Sequence, residues 1–161
     1  NLIYLFYKKL IKKKKIYYLK FFLLLIIGIN LFSLFKFHPH QNNYFNVLFE
    51  KKANQLFEID YWGLSNKEAL TIVANYGVKS NVCNLGLSDL YQSKKMILKE
   101  HQSNIDIKGQ KFNECDIILS NKIYISDPKY TKKYHLPQNF KLVDTIERGN
   151  IIINRIYKKN N

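Results

Sequence analysis

The stretch IYYLKFFLLLIIGINLFSLFKF, residues Ile16 to Phe37, decides how the rest of the chain is interpreted. Fifteen residues separate Lys20 from Lys36, and all but three of them are plainly hydrophobic. A helix of that span covers roughly 24 Å, slightly less than the ~30 Å hydrocarbon core of a bilayer. Interfacial tyrosines and the long stems of the flanking lysines close the gap. The stretch therefore predicts a transmembrane helix over residues 16–37.

Two other interpretations of this stretch fit less well. A buried core helix needs apolar partners on every face, and the remaining chain is polar enough to fill only one modest core. A cleaved signal peptide is normally followed by a cleavage site with small residues, whereas Lys36 and His38 come directly after this stretch.

The charge distribution orients the predicted span. The chain carries 26 Lys and Arg against 12 Asp and Glu, a net charge of +14, and seven of its lysines lie in the first twenty residues without an acid among them. Positive charge before a span predicts that this side is cytoplasmic and that residues after Phe37 are extracytoplasmic, at the inner (plasma) membrane. Nucleic-acid-binding arms are also basic. Here Leu10 and Ile11 interrupt the lysines and a membrane span follows, so we predict no nucleic-acid partner.

The first residues suggest a longer protein. The apolar opening LIYLFY at residues 2–7 precedes the lysine-rich segment. We interpret residues 1–15 as the end of a preceding membrane helix and a basic cytoplasmic loop, so the expected partners are the lipid bilayer and the remaining membrane helices of a parent protein. The alternative is an amphipathic segment that lies in the membrane interface.

Beyond the span, Pro39 predicts that the membrane helix ends at or before His38, and residues 38–65 are a connector. Ser65 followed three residues later by Glu68 predicts a capping box. A helix would then begin at Asn66 and run to about residue 76, with Gly77 as its left-handed stop.

The remaining elements alternate between strand and helix. We predict a strand at Val78–Leu85, a helix at Ser88–Glu100 capped by Ser88 with Leu90, Tyr91, Ile97 and Leu98 inward, a weak strand at Ile105–Lys108, a central strand at Cys115–Leu119, and a hairpin of Phe140–Glu147 and Ile151–Tyr157 around Arg148-Gly149-Asn150. The predicted fold class is a membrane-anchored α/β protein. One transmembrane helix precedes a small α/β domain, residues 66–161, which has a mixed sheet of four or five strands and a C-terminal β-hairpin.

The chain contains no complete catalytic constellation. It has no Gly-rich phosphate loop, no Gly-x-Ser-x-Gly and no Cys-x-x-Cys, so we predict no catalytic, cofactor-binding or metal-binding residue within it. His38 and His40 flank Pro39, but two ligands without a third indicate a polar connector rather than a metal site. Cys83 and Cys115 could form a disulfide outside the cytoplasm. We expect them instead to be reduced and buried as small apolar groups.

The most unusual run is Asp60-Tyr61-Trp62-Gly63, which holds the only tryptophan of the chain. We expect Trp62 to fill the gap between the following helix and the sheet, with Gly63 permitting a turn. In the alternative interpretation, Asp60 and Tyr61 face the membrane-embedded part of a larger enzyme.

Two motifs resemble a known family. The pattern H-P-x-Q-x-x-Y-F-N begins at His38, and D-Y-W-G-L-S covers residues 60–65. Together they resemble the junction between the last membrane helix and the C-terminal domain in bacterial multi-spanning glycosyltransferases similar to the dolichyl-phosphate-mannose protein mannosyltransferase family (glycosyltransferase family 39). The resemblance covers about residues 16–75 and departs at His40, where an aromatic residue is expected. Its motif residues, for which we expect a structural or interface role, are His38, Pro39, Tyr44, Phe45, Asn46, Asp60, Tyr61, Trp62, Gly63 and Ser65.

The resemblance implies transfer of a sugar from a polyprenyl-phosphate donor to an acceptor on the extracytoplasmic face. It also implies that the base is a carboxylate in the first extracytoplasmic loop of the enzyme, which these residues do not include. No catalytic role is therefore carried over to Asp60. The chain would be the membrane anchor and extracytoplasmic domain of such an enzyme, not catalytic alone. The alternative is a single-pass, membrane-anchored interaction module without enzymatic activity.

Overall fold

Two units make up the chain, Asn1–Gln41 and Asn42–Asn161. The computed structural model describes residues 13–43, 51–53, 59–60, 62–86, 88–121 and 135–160. The first unit consists of a long helix and the turn that ends it. The second contains the α/β domain.

Helix α1, Lys13–Lys36, contains the predicted membrane span. The two polar side chains between Lys20 and Lys36 bond within the helix: Asn30 Nδ2 donates to the Ile26 carbonyl at 2.8 Å, and Ser33 Oγ donates to the Ile29 carbonyl at 2.9 Å. Such internal bonding is what a hydrocarbon environment requires. Among the described residues, α1 is the one helix long and apolar enough to cross a membrane. Signal sequences share that length and composition, so the membrane crossing stays a prediction.

The end of α1 confirms the predicted helix stop. The helix ends at Lys36. The Phe37 amide still donates to the Ser33 carbonyl at 3.2 Å, the His38 amide donates to the Phe35 carbonyl at 3.0 Å, and a cis His38–Pro39 peptide follows. A 3-10 turn then covers Gln41–Asn43.

The second unit is built on a five-stranded mixed sheet in the order β2-β1-β3-β5-β4. Strands β1, β2 and β3 are mutually parallel, whereas β5 runs antiparallel to both β3 and β4. Its elements are α2 Asn66–Ala74, β1 Ser80–Asn84, α3 Leu90–Lys95, α4 Lys99–Gln102, β2 Ile105–Gly109, a 3-10 turn Phe112–Glu114, β3 Ile117–Ser120, β4 Phe140–Arg148 and β5 Ile151–Lys159. The predicted α/β class, the five strands, the central strand and the C-terminal hairpin are confirmed.

The two faces of the sheet are covered differently. Because side chains alternate along a strand, Val82 faces the helices and its neighbour Cys83 faces the other side. The helix face carries the main core: Ala69, Leu70, Val73, Ala74, Val82, Leu90, Ile97, Ile105, Ile107, Ile117, Leu119, Ile146 and Ile156. The opposite face carries a smaller cluster of Cys83, Cys115, Ile118 and Phe140, against which Phe112 packs. Helices α3 and α4 thus connect β1 to β2 on one face, and residues 110–116 connect β2 to β3 across the other.

The predicted capping box at Ser65 is wrong, although α2 begins at Asn66 as predicted and Gly77 adopts the left-handed φ of +72°. The Ser65 side chain caps no amide of the helix; its hydroxyl donates to the Asp60 carboxylate instead. Glu68 does not complete a box either, because its carboxylate binds Arg148 Nη2 at 2.7 Å. The cap does not form because the Ser65 hydroxyl binds a charged acceptor, the Asp60 carboxylate, and Glu68 binds a charged donor, the Arg148 guanidinium.

The predicted helix over residues 88–100 is also only partly correct. Asp89, not Ser88, caps α3 by accepting from the Tyr91 amide at 2.8 Å. The helix breaks after Lys95, and Leu98 is extended at φ −57° and ψ 141°. Because of this break, the residues after Lys95 do not continue the side-chain directions of α3. Leu90 and Ile97 are buried as predicted, but Tyr91 and Leu98, 57% and 62% exposed, are not.

The expectation of two reduced cysteines is wrong. Cys83 and Cys115 are joined by a disulfide with a Cα–Cα distance of 5.9 Å, and both residues are fully buried. The cause is topological. Cys83 faces the side of the sheet that residues 110–116 cross, so this connection brings Cys115 over β1.

We predict that the disulfide contributes substantially to the stability of the α/β domain. It closes a loop with a sequence separation of 32 residues. The chain-entropy model gives about 3–4 kcal/mol for a loop of this size. Urea unfolding of the full chain in detergent, comparing the wild type with a Cys83→Ala/Cys115→Ala double variant, measures the difference. Equal stabilities, or two titratable thiols in the non-reduced protein, would contradict the prediction.

Candidate functional site

A continuous set of buried polar side chains lies where residues 60–66 meet the carboxyl ends of β1 and β3. We call it the polar ring. Its members come from the 60–66 segment, the loop after β1, the end of β3 and the middle of β5: Asp60, Ser65, Asn66, Asn84, Ser88, Asn121 and Asn154. Six of the seven are at most 4% exposed, and Ser88 is half-buried.

Asp60 forms the first part of the ring by closing its own loop. Its backbone is left-handed, at φ 55°, a conformation that Asp tolerates better than most residues. One carboxylate oxygen accepts from the Leu64 amide at 2.9 Å. The other accepts from the Ser65 amide at 3.0 Å and from the Ser65 hydroxyl. Both oxygens are thus engaged by the loop they organise.

Asn154 ties this loop to the sheet. Its Nδ2 donates to Ser65 Oγ at 2.8 Å and to Asn66 Oδ1 at 2.9 Å, and its Oδ1 accepts from the Arg155 amide at 2.9 Å. The residue lies on β5 and is fully buried. A buried amide is stable only when its hydrogen-bonding groups are matched, and here they are.

Ser88 is the point at which the ring closes. Three side-chain amides donate to its hydroxyl oxygen: Asn66 at 2.8 Å, Asn84 at 2.7 Å and Asn121 at 3.2 Å. Asn121 Nδ2 also donates to the Asp60 carbonyl at 3.0 Å, which returns the chain of bonds to its start. The segment 60–66 is therefore bonded to the loop after β1, to the end of β3 and to β5.

Gly63 lies against the ring, where no side chain fits. A Cβ at this position would be 2.5 Å from Ser88 Cβ and 2.7 Å from Asn66 Nδ2, and the backbone has a left-handed φ of +66°. Both the conformation and the close approach require glycine.

The other motif residues do not join the ring. Trp62 is 76% exposed, so the prediction that it fills the gap between helix and sheet is wrong; the Gly63 turn directs its side chain outward while Asp60 and Ser65 point inward. His38 and Pro39 belong to the first unit, where His38 Nδ1 shares a 2.8 Å hydrogen bond with Gln41 Nε2. Tyr44, Phe45, Asn46 and Tyr61 lie outside the described residues.

The sequence interpretation included Asp60 and Ser65 but missed the five partners that complete the ring. Two of them lie at strand ends, where polar residues are common and do not indicate a site: Asn84 ends β1, and Asn121 follows β3. Asn154 offered a clearer signal. It is a polar residue that directly follows three isoleucines in the run IIINRIY, and polar residues are rarely buried without a specific partner.

The chemistry of the ring is that of a structural network. Its members carry one carboxylate, two hydroxyls and four amides, and amides do not take up or release protons near neutral pH. In the described part of the chain, no three His, Cys, Asp or Glu residues are grouped as metal ligands.

Groups with shifted pKa values lie elsewhere in the domain. Burial raises the pKa of the Tyr76 and Tyr157 phenols, and the hydrogen bond from Lys108 lowers the pKa of the surface carboxyl of Asp106. None of these three residues bonds to the ring. The shifts have ordinary causes, burial and a surface ion pair, and they do not mark a poised acid or base.

Comparison with known proteins adds no relative. No protein-family model, curated protein or solved structure matches the chain. Function is therefore inferred from the residues and their geometry.

We predict that Gly63→Ala destabilises the domain more than Gly77→Ala. Both glycines are left-handed, so each alanine carries a backbone cost of about 1–2 kcal/mol. At Gly77 a Cβ meets nothing within 4 Å, whereas at Gly63 it meets Ser88 and Asn66. The crowding should add about 1–3 kcal/mol. Urea unfolding of both variants provides the comparison, and equal losses would show that the ring does not confine Gly63.

Proposed function

We propose that this chain is the membrane anchor and extracytoplasmic domain of a polyprenyl-phosphate-sugar-dependent glycosyltransferase, and that it is not catalytic alone. The proposal rests on the burial and hydrogen bonding of the polar residues in the D-Y-W-G-L-S segment. Its acid, Asp60, and its serine, Ser65, are buried and bonded to each other, and Asn154 bonds the serine to the sheet. A motif used in this way supports a junction that docks the connector onto the α/β domain.

The same geometry argues against Asp60 as the base of the transfer reaction. A general base must lie within hydrogen-bond reach of the proton it takes from the acceptor. Asp60 is 1% exposed, and both of its carboxylate oxygens accept bonds from its own loop. The base of the proposed enzyme therefore belongs to another loop of the parent protein.

Three features support an extracytoplasmic location for the α/β domain. Seven lysines lie in the first twenty residues without an acid among them, and α1 is long and apolar enough to cross a bilayer. The Cys83–Cys115 disulfide belongs to the domain after α1, and disulfides persist mainly in oxidising compartments. We place residues 1–15 in the cytoplasm and the domain outside the plasma membrane. The partners are the bilayer, the other membrane helices and, through them, the polyprenyl-phosphate sugar donor.

A second candidate function is supported by the exposed side chains of the same segment. Trp62 and Leu64 are 76% and 52% exposed, two positions apart. Aromatic residues are enriched in the centres of protein interfaces. This pair favours a single-pass, membrane-anchored module that binds another protein and performs no chemistry.

A transfer assay separates the two functions. The coding region upstream of Asn1 is expressed with this chain, without it, and with a chain carrying Asp60→Asn, and membranes receive a radiolabelled polyprenyl-phosphate hexose. We expect transfer only when the upstream region and the chain are both present. With Asp60→Asn, turnover per folded molecule should stay within about tenfold of wild type, whereas loss of a general base typically costs about 10²–10⁴-fold.

The purified chain alone is the negative control, and a reporter enzyme fused after Asn161 that is active only outside the cytoplasm controls for orientation. Turnover by residues 1–161 alone would overturn the assignment of the base to another loop. Full transfer without the chain would favour the interaction module. Reporter activity in the cytoplasm would contradict the proposed location.

A further inference from the structure

A pocket of about 210 Å³ opens at the carboxyl ends of β1 and β2. The loop after β1 leads to α3 on the helix face, and the loop after β2 leads to residues 110–116 on the opposite face. Two neighbouring loops that leave to opposite faces separate from each other. In open sheets with parallel strands, ligands bind outside the carboxyl ends of the strands.

The polar lining of the pocket comes from both loops. Asn84 ends β1, Ser88 and Asp89 lie in the loop that follows it, and Gln110 follows β2. Asp89 Oδ1 caps α3, and Gln110 Nε2 donates to the Gly86 carbonyl at 3.3 Å. Within the described part of the chain, Asp89 Oδ2 and Gln110 Oε1 take part in no side-chain hydrogen bond. The pocket therefore offers acceptors to a ligand that brings donors.

An aromatic ring completes the lining. Tyr91 is 57% exposed, and its hydroxyl donates to the Ile107 carbonyl at 3.2 Å, which holds the ring at the pocket. An exposed ring held by its hydroxyl offers a flat, preorganised apolar surface. Apolar contact on one side and a few placed polar groups on the other is the usual composition of a small-molecule site.

Charge and size narrow the class of ligand. The one charged residue of the lining is Asp89, and the described lining contains no Lys or Arg, so phosphates and carboxylates are disfavoured. The volume lies below the roughly 300–1,000 Å³ of pockets that hold drug-sized ligands. A small, neutral, hydroxyl-rich ligand with one apolar face satisfies both conditions.

We propose that this pocket binds a single neutral sugar ring. The hydroxyls of the sugar donate to Asp89 and Gln110, and its apolar C–H face packs on Tyr91. The choice of a sugar over other small polyols rests on the proposed function, in which the domain works beside a hexosyl transfer reaction. The pocket would then hold one residue of the acceptor glycan close to the domain surface.

Saturation-transfer-difference NMR of the full chain in detergent micelles tests the site. The probes are the methyl α-pyranosides of glucose, mannose and galactose, and inorganic phosphate serves as competitor. We expect a saturable signal for at least one glycoside, with a Kd of about 1 mM or weaker, and no competition by phosphate. Tyr91→Ala and Gln110→Ala should each weaken binding at least tenfold, with circular dichroism confirming that each variant is folded.

Tyr76→Ala is the matched control, because Tyr76 is a partly exposed tyrosine outside the pocket and its removal should leave binding unchanged. No saturable signal from any of the three glycosides overturns the proposal. The proposal is also overturned if folded Tyr91→Ala binds the glycoside as well as the wild type does. Displacement of the glycoside by phosphate overturns it as well. These failures would leave the transfer assay unchanged, whereas a failed transfer assay with intact glycoside binding would overturn the enzyme assignment and not the pocket.

Discussion

The Asp60 carboxylate, buried and bonded to the Leu64 and Ser65 amides and the Ser65 hydroxyl, is the interaction on which the described domain depends. A buried carboxylate is stable only when donors surround it, and losing one such donor costs about 1–3 kcal/mol or more. The loop that supplies those donors is held in turn by Asn154 of β5. The polar ring therefore fixes an irregular segment to the sheet.

The ring also connects the recognised motif to the pocket. Asn84 and Ser88 are members of the ring and belong to the pocket lining at the same time. Asn66 Nδ2 reaches Ser88 from the first turn of α2, so the position of the 60–66 segment determines where Ser88 lies. The D-Y-W-G-L-S motif can therefore shape a binding site without containing a catalytic residue. This role of its polar residues is compatible with the proposed function, in which the domain is not catalytic alone.

The sequence predicted the parts of the fold that depend on local pattern. The apolar run ending at Leu119 located β3, and the turn signal Arg148-Gly149-Asn150 located β4 and β5. Helix α2 begins at the predicted residue, although the capping box that predicted it does not form. Prediction from the sequence failed where a distant residue competed with a local one. Ser65 donates to Asp60 rather than capping α2, and Cys115 reaches Cys83 because a connection crosses the sheet. The ring was not predictable because its bonds span up to 89 residues, a separation that no local pattern records.

A double-mutant cycle tests most directly whether the ring acts as one unit. Ser65 and Asn84 share no hydrogen-bond partner in the described part of the chain, but Asn154, Asn66 and Ser88 connect them. Independent sites add within about 0.3–0.5 kcal/mol. We expect Ser65→Ala and Asn84→Ala to deviate from additivity by about 1 kcal/mol or more in urea unfolding, while Ser65→Ala and Ser103→Ala, at a surface serine, should add. Additivity of the first pair would contradict the ring as a cooperative unit.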